Sequence, residues 1–103
     1  MVNFDDVKKE LEYIRYYNAR KEMFDKTFEK IGRNKLLDEI QEKYNGIMQN
    51  APLKLQELYD CLYFDCCTHD GAAEKLMYSV NYIYKSNKQM IEFICDYLNK
   101  EAA

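Results

Sequence analysis

An all-α fold of about five helices is predicted, and three observations predict it. Three glycines and one proline in 103 residues leave few points at which the chain can turn, which favours long helices over a many-stranded fold. Apolar residues recur at three- and four-residue spacing along most of the chain, the period of a helix with one buried face. Residues that cap helices (Asn3, Asn34, Thr68, Ser79) stand just ahead of those periodic runs. No convincing strand is found; residues 78–84 mimic one by composition only, between helical flanks. Hydrophobic content of 48% against 32% charged residues marks a globular chain, and its length suits one domain over residues 1–103. Residues 1–50 read as a helical hairpin and residues 51–99 as a three-helix part.

The first helix starts after Asn3, with Asp5 and Asp6 at the positive end of its dipole. Val7, Leu11, Ile14, Tyr17, Phe24, Phe28 and Ile31 continue at near-heptad spacing to Gly32. One unbroken helix of that length would span ~40 Å. Asn18 and Lys21 interrupt the stripe and mark the place for a bend or break. Gly32 is the expected stop and Asn34 the next cap. The second helix carries Leu36, Leu37, Ile40, Tyr44, Ile47 and Met48, with Gly46 a weak point near its end. Pro52 opens the third, whose buried stripe is Leu55, Leu58, Tyr59, Leu62, Tyr63 and Cys66. Thr68 or Asp70 caps a short fourth helix with Ala72, Ala73 and Leu76 on one face. Met77 and Tyr78 fall in a tight turn, and Ser79 caps the fifth helix, expected over residues 80–99 with a frayed tail. There Ile83, Met90, Ile91, Ile94 and Leu98 face inward, while Asn81, Lys85 and Lys88 project from the opposite side at i, i+4, i+7.

Several function classes are disfavoured. One histidine, no phosphate-cradling glycine loop, no nucleophile elbow and no carboxylate pair in a pocket argue against an enzyme. No apolar run approaches the ~18 residues of a membrane span, and no signal-peptide pattern opens the sequence, so a cytoplasmic location is expected. Cys61, Cys66, Cys67 and Cys95 are then expected to be reduced. Zinc is not expected: Cys61 and Cys66 are five apart on a helix, adjacent Cys66 and Cys67 rarely chelate together, and only Cys95 remains to complete a set with them and His69. No other cofactor is indicated. The ten tyrosines and five phenylalanines fall mostly at core or rim positions of helices, with Tyr78, Tyr82 and Tyr84 gathered around the turn.

Net charge is −3, but its distribution is uneven. Residues 15–35 hold seven cations against three carboxylates, whereas residues 57–70 hold four carboxylates and neither Lys nor Arg. The basic run suits a DNA backbone in principle, yet its interleaved Glu22, Asp25 and Glu29 suit an ordinary exposed helix face better.

A short small-residue helix (Ala72-Ala73-Glu74-Lys75-Leu76), the turn Met77-Tyr78-Ser79 and a second helix anchored by Ile83 outline a helix-turn-helix DNA reader. Over residues 58–94 the sequence resembles the C-terminal promoter-reading domain of bacterial sigma factors. It is similar, more closely, to small phage and prophage regulators of the ArpU-like and positive-control-sigma-like kind. Ala72 to Leu76 match their I-A-x-x-L helix, Met77 to Ser79 their G-x-S turn, and Met90 to Ile94 their closing A-L-x-x-L-like pattern. Met77 stands where those families usually have glycine, and the second helix offers fewer cations than such readers often carry. The resemblance implies binding to double-stranded DNA or the transcription machinery through Ser79, Asn81, Tyr82, Lys85 and Lys88. Asn81 and Lys85 would read bases, while Ser79 and Lys88 would meet phosphates. Dimerisation through the long first helix would supply a second half-site. The competing expectation is a small acidic helical module, of the phage-inhibitor or immunity type, that binds a basic host protein through the acidic stretch and never touches DNA.

Overall fold

A computed structural model describes residues 2–20 and 35–102 of the chain. Among them it is entirely helical, with five helices and no strand: α1 (Phe4–Ala19), α2 (Lys35–Met48), α3 (Leu53–Tyr59, running straight into a π-helical turn, Asp60–Phe64), α4 (His69–Leu76) and α5 (Val80–Ala102). One continuous core draws on all five, from Val7, Leu11 and Ile14 through Tyr44, Leu58, Leu62 and Ala72 to Ile83, Met90 and Ile94. Fully burying one such aliphatic side chain contributes roughly 1.5–3 kcal/mol, so this shared interior, not helix propensity, holds the elements together.

α1 begins as its sequence indicates. The Asp6 N–H donates to the Asn3 side chain at 2.9 Å and the Asn3 N–H to the Asp6 carboxylate at 3.3 Å, a reciprocal capping box. The helix ends at Ala19, short of the ~40 Å rod. Asn18 shows why the apolar stripe stops there: its amide donates to the Tyr63 carbonyl at 2.8 Å and its oxygen accepts from Gln41 at 3.3 Å. The polar break in the pattern is a tie among α1, α2 and α3. Phe24, Phe28, Ile31, the Gly32 stop and the Asn34 cap lie outside the described residues. Val7, Leu11, Ile14 and Tyr17, the described part of that stripe, are buried inside this chain.

α2 passes through Gly46 without interruption, and Pro52 stands one position ahead of α3, as its N-cap. In α3 the inward cysteine is Cys61, not Cys66 as the stripe suggested. The wide π turn is the reason. Asp65 bonds back five residues to the Asp60 carbonyl, the helix closes, and Cys66 lands beyond it at φ 58°. α5 runs on to Ala102, past the expected fraying point, because its last turns are anchored. The Asn99 side chain both accepts from the Val2 N–H and donates to the Val2 carbonyl, at 2.9 and 3.0 Å. No helix among the described residues is long and apolar enough to cross a membrane.

Candidate nucleic-acid interface

α4 is seated by its two smallest side chains, Ala72 and Ala73, both buried, so α5 crosses it closely. Thr68 caps it, its hydroxyl accepting from the Gly71 N–H at 3.0 Å. Its far end closes as a Schellman motif. The Tyr78 N–H donates to the Ala73 carbonyl at 2.9 Å and the Met77 N–H to the Glu74 carbonyl at 3.4 Å. Met77 therefore occupies the left-handed position (φ 61°) that glycine usually takes, at a cost of roughly 1–2 kcal/mol, with its side chain 90% exposed. Ser79 then caps α5, accepting from the Tyr82 N–H at 3.1 Å. The expected helix, turn and capped helix are all present.

Of the sequence-derived site residues, Asn81, Lys85 and Lys88 lie together on the exposed side of α5, opposite buried Ile83, Met90, Ile91 and Ile94. Ser79 is exposed at the head of the same helix, and its hydroxyl, an acceptor within the cap, keeps its proton for an outside partner. Tyr82 is placed differently. Its ring turns toward α3, packed on Tyr78 with centroids 4.6 Å apart and under the Lys54 ammonium at 5.3 Å. Hydrogen bonding to Lys54 lowers its phenol from the ordinary tyrosine value. It supports the turn and holds Lys54 beside it.

Two contributors lie outside the five residues the resemblance names, although the sequence already gathers Tyr84 with Tyr78 and Tyr82 around the turn. Tyr84 is 57% exposed and stacks on His69 of α4, centroids 4.2 Å apart and nearly parallel. The helical period signals it, since Tyr84 is three residues from Asn81 and four from Lys88. Burial and, after it, Arg15 push the His69 imidazole below its ordinary pKa, with Asp70 opposing, so a neutral ring faces Tyr84 near pH 7. Lys54, from the first turn of α3, has no comparable signal; only the packing of α3 against α5 brings it to the turn.

Of the upstream cations, Arg15 and Arg20 are engaged elsewhere. The Arg15 guanidinium donates to the carbonyls of Cys66 and Cys67 at 3.4 and 3.3 Å, and Arg20 covers the Tyr16 ring at 4.0 Å. Lys21, Lys26, Lys30 and Arg33 lie outside the described residues. Lys75 pairs with Asp65 at 3.0 Å, both half exposed, a contact of small energetic weight. Among the described residues no three His, Cys, Asp or Glu side chains gather into a metal site. An exposed row of Asn, Lys and Lys flanked by a flat aromatic pair can donate to base edges and phosphates and offer a ring to a base or methyl group. No protein-family model matches the chain, and no curated protein or solved structure matches it.

Proposed function

We propose that this chain is a small DNA-binding regulator, of the phage or prophage kind its sequence resembles, acting in transcription control in the cytoplasm. The observation that supports it is the exposed row Asn81, Lys85 and Lys88 on a helix whose start is set by the Met77–Ser79 turn and whose reverse side is sunk in the core. The first turns of α5 enter a major groove, Asn81 facing adenine and Lys85 guanine edges. Ser79, Lys88 and Lys54 meet phosphates from three places along the backbone, and Tyr82 positions Lys54.

Fluorescence anisotropy with a mixed-sequence duplex at about 50 and about 200 mM salt tests this reading, since even non-specific binders lose affinity steeply over that range. A salt-steep signal is expected. The Lys85→Ala, Lys88→Ala double variant weakens binding and lowers the log–log salt slope by roughly 1, the share of the Lys88 phosphate contact. Absence of any signal at low salt removes DNA as the ligand.

A second reading has its own observation. Met77 is 90% exposed, Leu53 68% and Tyr78 41%, an unusual apolar offering for a nucleic-acid surface. Contact with a protein of the transcription machinery, or with a basic host protein, through the turn itself would use them. A pull-down that depends on Met77 and Leu53 but not on Lys85 and Lys88 would establish that reading.

A further inference from the structure

The π turn that ends α3 does more than shift a register. It is followed by a backbone reversal at Cys66, after which the Cys67 N–H donates to the Cys61 carbonyl at 3.0 Å. This brings residues six apart in sequence into direct backbone contact, the close approach that a disulfide between them requires. The two thiols adjoin, and the Lys75 ammonium lies near both. Cys66 is turned elsewhere: its thiol faces the carbonyls of Arg15 and Phe64, at 3.3 and 3.6 Å. Adjacent Cys66 and Cys67 also sit only ~3.8 Å apart at Cα, below the usual disulfide range. All four cysteines are free thiols.

We propose that Cys61 and Cys67 form a dithiol that closes to an intramolecular disulfide by exchange with a small-molecule disulfide of the glutathione class. Cys67, half-buried, is the accessible partner; Cys61, 2% exposed, is not. Burial pushes the Cys61 thiol up, and Cys67, the more exposed of the two, supplies the attacking thiolate. It attacks one sulfur of the small disulfide, forming a mixed disulfide and releasing one small thiol. Cys61 then loses its proton to solvent and displaces the second small thiol from Cys67. Two electrons pass from the protein thiols to the small disulfide, which leaves as two thiols. The new bond ties the end of α3 to the residue before the Thr68 cap of α4. It therefore stiffens the seat of the helix pair that presents Asn81, Lys85 and Lys88. The inference does not depend on DNA being the ligand.

The test treats the folded protein with oxidised glutathione, blocks remaining thiols, and maps peptides by mass spectrometry. The expected product is a single Cys61–Cys67 link with a whole-protein loss of about 2 Da, unchanged in Cys66→Ser and reduced to one product among several when the chain is oxidised in denaturing urea, where pairing scatters. Cys61→Ser stops at a stable glutathione adduct on Cys67, and Cys67→Ser takes up nothing at Cys61. Should a serine variant fail to fold, the wild-type map decides alone. A persistent wild-type adduct, a link through Cys66 or Cys95, or no oxidation at all would overturn the proposal.

Discussion

Two turns bound α4, and both place a residue other than glycine in left-handed backbone: Cys66 at φ 58° before it and Met77 at φ 61° after it. They are held in different ways. At the first, the Arg15 guanidinium bonds two consecutive carbonyls, and the Cys66 thiol faces the Arg15 carbonyl in return. The side chain at the strained position therefore contributes to its own support, and α1 locks it from a distance of fifty residues. At the second, the backbone bonds of the Schellman motif are local and Met77 projects into solvent, 90% exposed. Its strain is offset by nothing its side chain touches. The Met77 turn, and not the Cys66 turn, sits within the proposed interface.

The helix between the turns is where this comparison breaks most readily. Ala72 is fully buried. Ala72→Leu forces α4 away from α5 and is expected to cost about 1–3 kcal/mol, read by denaturant unfolding, because the position is fully buried between the two helices. Next in size is the contrast between the turns themselves. Met77→Gly is expected to stabilise the protein by about 1 kcal/mol, whereas Cys66→Gly gains clearly less because it deletes the thiol contacts along with the strain. Equal gains at the two sites would mean that the Cys66 side chain supports nothing. Arg15→Ala should lose about 0.5–1 kcal/mol, its bonds being long and exposed, and should leave the Met77 turn unaffected.

The smallest effect concerns pH. His69 stacks on Tyr84 with its pKa lowered, mainly by burial. Its contribution to stability is complete above the unfolded value of 6.5 and declines as pH falls through that value toward the lower folded one. The midpoint for denaturation should drop modestly on acidification below about pH 6.5, and His69→Gln should flatten that part of the profile. A profile unchanged by the substitution would place the acid sensitivity elsewhere.

Much of the architecture was determined by local chemistry, and that part was legible from the residues alone. Asn3, Thr68 and Ser79 cap the helices they precede because a cap needs only its own side chain and an N–H three residues on. The inward stripe of α5 follows from its period, and so does the exposed row Asn81, Lys85 and Lys88. Tertiary structure decided what depends on partners far along the chain. Asn18 reads as a defect in a stripe until Tyr63 and Gln41 are brought to it from 45 and 23 residues away. Cys61 replaced Cys66 in the core because a π turn wins where straight α periodicity would place the wrong cysteine. Tyr82 turned toward Lys54, and Tyr84 found its His69 partner, because α3 and α4 each pack against α5's first turns. Caps and periods are set within a turn or two of helix; which face meets which partner is set only when the helices close on one another.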